Sequence, residues 1–184
     1  MTATADIGGA QSVTRFVALL RAVNVAGTGA LPMVELRAIG EACGFANVST
    51  FIASGNLLFE SKLSEAEIKA ALEAKLATRA GRPVEVFVRT AAELAAIIAA
   101  NPFPDAHRSR HLVYFYDAPP PVDLIAQCRD ANGERLALGT RELHVDYGEG
   151  IRFTKLKIPG KLERTGRSVN TVQKLTALLH DAPR

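Results

Sequence analysis

Apolar residues fall in short blocks along this chain, and their spacing alternates between strand-like and helix-like. Arg15 to Leu20 (RFVALL) predicts a buried strand. Leu31 to Cys43 predicts a helix: Pro32 suits a first turn, Met33, Leu36, Ile39 and Cys43 share one face, and Gly44 ends it. Val48 to Ala53 and Leu57 to Glu60 predict two short strands, with Ser54, Gly55 and Asn56 as hairpin-turn residues between them. Ser64 and Glu67 form a capping-box pattern ahead of Ile68, Leu72 and Leu76 at helical spacing, and Gly81 stops that helix. Val84 to Val88 (VEVFV) predicts a fourth strand. The order β-α-β-β-α-β is the ferredoxin-like arrangement.

Thr90 and Glu93 repeat the capping-box pattern before a helix carrying Leu94, Ile97 and Ile98, which Pro102 terminates. Asn101 to Arg110 (NPFPDAHRSR) reads as a linker. The second half then follows the first. Leu112 to Tyr116 predicts a strand, and Pro119 to Pro121 lead into a helix with Leu124, Ile125 and Cys128. Arg135 to Leu138 and Glu142 to Tyr147 predict a hairpin, Ile151 to Phe153 an extended stretch, and Thr171 to Leu179 a last helix. The fold class is therefore α+β, two ferredoxin-like (βαββαβ) units in tandem with antiparallel sheets. The expected boundaries are a disordered leader over 1–13, the first unit and its following helix over 14–100, a linker over 101–110 and the second unit over 111–184. The repeat is architectural, without clear sequence identity between the halves.

Composition narrows the class. Hydrophobic residues make up 48% and charged residues 22%, ordinary for a globular chain. No run approaches the roughly 18 apolar residues of a membrane span, and the start of the chain lacks the basic and apolar regions of a signal peptide. Cys43 and Cys128 read as buried thiols, which fits a reducing, cytoplasmic setting. Charge is uneven. Residues 151–184 hold eight Lys or Arg against Glu163 and Asp181. A basic segment of this kind points to an anionic partner, a small molecule or nucleic acid, or else to a solvated face.

The sequence carries no phosphate-loop, zinc-protease or nucleophile-elbow motif. His107 and His111 are four apart, but they sit in a Pro- and Arg-rich stretch without a thiol or carboxylate cluster, so no metal site and no cofactor are expected. An RNA-recognition module fits poorly, because Leu57 to Glu60 lacks its aromatic signature. Tyr114 and Tyr116 share a strand face and could stack bases or pack against a helix.

A series of short motifs resembles the domain-of-unknown-function-1697 family. It runs from Ala18 through Arg21, Asn24 and Gly27 to Leu31-Pro32-Met33 and Glu35-Leu36, then Gly44-Phe45 and Thr50 to Asn56. Asn101-Pro102-Phe103, Thr154-Lys155-Leu156, Arg167 and Asn170-Thr171-Val172 extend it. The resemblance implies two ferredoxin-like domains and no assigned function. The family generally carries Arg-Gly-Ile-Asn-Val-Gly-Gly where this chain has Arg21 to Gly27 with alanine at 22 and 26, which weakens a glycine-based phosphate cradle there. It tends to a tryptophan where Val169 stands.

The ligand-binding candidates are Arg21, Asn24, Lys155, Arg167 and Asn170; Ser54, Gly55 and Asn56 read as structural turn residues. Arg21 and Asn24 can contact an anion or serve a carboxylate pair and a turn. Lys155, Arg167 and the start of the last helix form an expected anion site, arginine supplying a planar fork. Asn170, with Gln173, is a candidate cap for that helix. With the first and third strands of a unit taken as parallel, the hairpin would lie at the sheet end opposite the loop after the first strand, roughly 17–20 Å away. Three functions compete: a binding module for an anionic ligand, an enzyme with a cleft between the units, and an interaction protein offering sheet edges.

Overall fold

The computed structural model describes residues 12–23, 30–160 and 162–181. The expected leader lies almost wholly outside these residues, and Asn24 lies outside them too. The first unit runs β1 (Thr14–Leu20), α1 (Met33–Ala42), β2 (Ala46–Thr50), β3 (Asn56–Ser61), α2 (Glu65–Ala80), β4 (Val86–Thr90) and then α3 (Ala91–Ala99). The second runs β5 (His111–Phe115), α4 (Leu124–Gln127), β6 (Arg135–Leu138), β7 (Glu142–Asp146), a 3-10 turn (Ile151–Phe153), β8 (Thr165–Ser168) and α5 (Val169–Asp181). Each unit forms one four-stranded sheet, ordered β2-β3-β1-β4 and β6-β7-β5-β8, with every neighbour antiparallel.

The capping boxes form as expected. Ser64 and Thr90 each accept the N–H of the glutamate three residues on, whose carboxylate returns to the cap N–H. Gly81 ends α2 in the left-handed region at φ 66°. From Phe16 to Leu20 β1 is apolar and buried because its sheet is covered on both faces. Phe16, Ala18 and Leu20 pack toward α1 and α2, whereas Val17 and Leu19 enter a second core with Leu94, Val113, Phe115 and Leu175. That second core takes side chains from both units, and α3 and α5 pack against each other within it.

Four expectations are corrected. First, β1 and β3 run antiparallel, with Leu19 opposite Asn56. A crossover helix returns β2 parallel to β1, and a hairpin then reverses β3. The β2–β3 turn therefore sits at the same sheet end as the exit of β1, where Leu20 N–H donates to Gly55 O at 2.9 Å. Second, 151–153 is a 3-10 turn rather than extended, closed by Phe153 N–H to Gly150 O at 3.0 Å. Third, α4 is a single turn, and among the described residues no α-helix forms between β7 and β8, where glycines and Pro159 break the pattern. An irregular strap over 148–160 takes that helix's place, its Leu156 and Ile158 packed on the outer face of the second sheet. Fourth, Ser168 caps α5: its Oγ accepts Thr171 N–H at 3.2 Å, and Asn170 lies exposed in the first turn. Cys43 and Cys128 are free, half-buried thiols.

Candidate functional site

The sequence candidates do not converge on one surface. Arg167 lies on β8 and is 7% exposed. Its Nε donates to Asn56 Oδ1 at 2.6 Å. Its Nη1 reaches Thr165 Oγ1 at 2.8 Å and Gly166 O at 2.9 Å. Its Nη2 faces the carbonyls of Leu20, Ser54 and Gly55 at 3.0, 2.8 and 3.2 Å. All five guanidinium donors are thus directed at neutral protein acceptors, and burial without a carboxylate draws its pKa down to about 10. Asn56 is fully buried: Oδ1 accepts from Arg167, and Nδ2 donates to Phe51 O and Ser54 Oγ. The turn residues and Arg167 therefore make one internal polar node that joins the two units.

Arg21 lies beside Glu85 at 3.6 Å and Glu163, so its charge is already met. Lys155 is exposed on the strap. Asn170 is exposed, and its N–H donates to Arg108 O at 3.3 Å. Ala22 occupies the left-handed region at φ 49°, at a position where the resembled family generally has glycine. Tyr114 and Tyr116 are not open to bases. Tyr114 hydroxyl pairs with Tyr147 hydroxyl at 2.7 Å, and Tyr116 is buried under the strap and α4.

The strap itself is basic and partly apolar on its outside. Arg152, Lys155 and Lys157 are exposed, as are Ile151 and Phe153, the latter at 62%. The Arg152 guanidinium lies 4.7 Å from the centre of the Phe153 ring. At the far end, reciprocal backbone bonds between Arg129 and Lys157, at 3.0 and 2.8 Å, bring a second pair of cations together. They border an open hollow of about 580 Å³ with Ile158 and Gly160. Lys157 meets Asp130 at 2.7 Å, an exposed pair of small energetic weight. At the near end, Arg110 Nη1 donates to Gly148 O at 2.9 Å, which holds the linker against the start of the strap.

One group of residues was not foreseen from the sequence. Alternation along Glu142-Leu143-His144-Val145-Asp146 turns three ionisable side chains to the inner face of β7, and all three are buried. Glu142 Oε1 meets Arg89 Nε at 3.4 Å, Asp146 meets Arg135 at 2.7 Å, and His144 Nδ1 faces His111 Nε2 at 3.1 Å. Burial lowers the His144 pKa to about 4 and lowers that of His111 as well. His107, by contrast, is exposed and bonds Ser109, so the two histidines four apart do not act together. The period-2 pattern of this strand was the available signal.

The molecule is an α+β protein of two tandem ferredoxin-like units. The family described as protein of unknown function (DUF1697) matches residues 13–144, and the chain belongs to it. The fold is similar to that of the conserved bacterial protein SP0830 from Streptococcus pneumoniae, with a TM-score of 0.76 and 24% identity over 91% of this chain and 99% of that one. No curated protein matches the chain. Among the described residues no helix is long and apolar enough to cross a membrane.

Proposed function

We propose that this protein is a binding module for an anionic ligand, and that its contact surface is the strap over 151–160 together with Arg129. The observation that carries this reading is the exposure of Arg152, Lys155 and Lys157 beside the exposed Phe153 ring. Cations strung along an open surface suit an extended polyanion better than a single phosphate, which calls for convergent donors in a concave site. An exposed aromatic ring next to arginine also suits base stacking, so single-stranded nucleic acid is the favoured ligand. Of the sequence candidates, Lys155 belongs to this surface.

Fluorescence anisotropy with a labelled single-stranded oligonucleotide, over a series of salt concentrations, tests the reading. Affinity falls steeply as salt rises, and each Lys or Arg removed lowers the log–log slope by about 0.7. Lys155→Ala and Arg152→Ala weaken binding in this way, and Phe153→Ala weakens it without changing the slope. Binding that ignores salt, or that survives the double Arg152→Ala, Lys155→Ala variant unchanged, sinks the proposal.

A further inference from the structure

A second feature shares no residue with the basic strap. Between α3 and the β6–β7 hairpin lies a cleft of about 370 Å³. Ala96 on α3 and Ala100, which caps its end one turn later, leave the space open, and Ile97, Pro102 and Leu138 give it apolar walls. This volume is within the range of small-molecule sites.

The charged groups that line the cleft are already committed. Arg141 is held by Glu65 and Glu93, and it accounts for the Glu93 carboxylate. Glu142 accepts from Arg89 and from Arg141 N–H. His144 differs. It is 4% exposed and lines the cleft, and its single hydrogen bond uses Nδ1, toward His111. Among the described residues nothing partners Nε2. The ring is buried but Nε2 is accessible from the cleft, so a ligand there can take the place of water at this nitrogen. Because the imidazoles share one proton along their bond, His144 Nε2 presents a donor in one tautomer and an acceptor in the other. His111 is braced from behind by the Phe103 ring at 5.4 Å, which fixes the pair against the 101–110 segment.

We infer that this cleft is a binding site for a small, uncharged heteroaromatic ligand, whose ring lies between α3 and Leu138 and whose ring nitrogen or N–H meets His144 Nε2. A net charge on the ligand is disfavoured because every ionised lining group already has a counter-charge and no new one is available.

The test titrates indole, quinoline and benzimidazole at neutral pH into the full chain carrying ¹⁵N-labelled histidine, and follows the four histidine ring signals. The expected result is a saturable shift of the His144 and His111 signals for at least one of the three, with His107 and His180 unmoved. Ala100→Phe fills the cleft from the exposed C-cap position of α3 and abolishes that shift while the melting temperature stays within a few degrees of the parent. Three unsaturable titrations overturn the inference, as does a shift that persists in Ala100→Phe. If Ala100→Phe proves unstable, Ala96→Leu serves as the second filling variant with the same two outcomes. Oligonucleotide binding at the strap is unaffected by either variant, so the two sites stand or fall separately.

Discussion

Arg89 and Arg167 occupy the same place in the two units and reach across to each other's unit. Each is the last residue but one of its unit's final strand, opposite Val17 and Val113 respectively, and each precedes a hydroxyl residue that caps the following helix. Arg89 donates to Tyr116 O at 2.6 Å, Arg141 O at 3.3 Å and Glu142 Oε1 at 3.4 Å. Arg167 donates to Leu20 O, Gly55 O and Asn56 Oδ1. These acceptors correspond: Leu19 pairs with Asn56 as Phe115 pairs with Glu142. The two units therefore exchange one buried guanidinium each, around an approximate two-fold relation.

From this exchange it follows that Arg167→Ala destabilises the whole chain. It strands the Asn56 amide oxygen and the carbonyls at the exit of β1 and in the β2–β3 turn, and a loss of about 3 kcal/mol is expected. Arg167→Lys recovers little, because an ammonium cannot present a planar five-donor fork. Urea denaturation followed by circular dichroism measures the change. One cooperative transition is expected for both units, since they share a core. A loss below about 1 kcal/mol would mean that water replaces the guanidinium at this node.

Arg167 also marks where sequence reading stopped. The four long helices and the first seven strands were legible because apolar spacing, turn residues and capping residues wrote them out, as at Ser64 and Thr90. β8 was not. It is Thr-Gly-Arg-Ser, and the side chains it buries are Thr165 and Arg167, so it has no apolar alternation to detect. A buried arginine and an anion-binding arginine look alike in sequence; only the facing carbonyls tell them apart. The turn residues Ser54 to Asn56 were recognisable as a turn, but their position beside the exit of β1 depends on strand direction, and there the antiparallel β1–β3 pairing decided. The His111–His144 pair was hidden for a simpler reason: the two residues meet only across a strand pairing, 33 positions apart.

The β2–β3 turn is equally sensitive from its own side. Gly55 has φ +76°, and an added Cβ would lie 3.0 Å from Leu20 Cβ and closer still to the Val23 side chain. Gly55→Ala therefore combines backbone strain with a clash at the node that Arg167 completes, and a loss of about 2 kcal/mol or more is expected. Gly44→Ala is the control. It shares a positive φ, +81°, but meets nothing within 4 Å, so it carries the conformational cost of about 1 kcal/mol alone. Equal losses for the two variants, measured by the same urea titration, would remove the packing part of this account.

Two substitutions are expected to stabilise. Ala22 at φ 49° and Ile52 at φ 50° both hold left-handed backbone, and Ile52 is 49% exposed, so little packing is lost by changing it. A β-branched side chain is the poorest fit to that region. Ala22→Gly and Ile52→Asn each raise stability by roughly 1 kcal/mol. Thermal melting reads this as a gain of a few degrees; an unchanged or lower melting temperature in both variants would show that the left-handed turns carry no releasable strain.

The buried histidine pair gives the fold an acid-sensitive element. His144 has its pKa lowered to about 4 by burial and by the neighbouring His111, against about 6.5 in an unfolded chain. Between these values the unfolded chain takes up a proton that the folded chain refuses. The histidine's contribution to stability is therefore complete above about pH 6.5 and is lost as pH falls toward 4, with a slope of up to about 1.4 kcal/mol per pH unit. Burial dominates the lowering at His111, with Asp146 opposing it and Arg135 reinforcing it, and His111 in turn lowers His144, so the two rings are coupled. Glu60 and Glu93 also have lowered pKa values, and they add an acid loss of the same sign at lower pH. The informative quantity is thus the difference between the parent and His144→Gln. Urea titrations at intervals from pH 7.5 to 4 should show the parent losing stability more steeply between 6.5 and 4.5, with the two curves parallel above pH 7. Parallel curves throughout would mean that His144 protonates in the folded state as readily as in the unfolded one, and that water reaches the pair from the cleft.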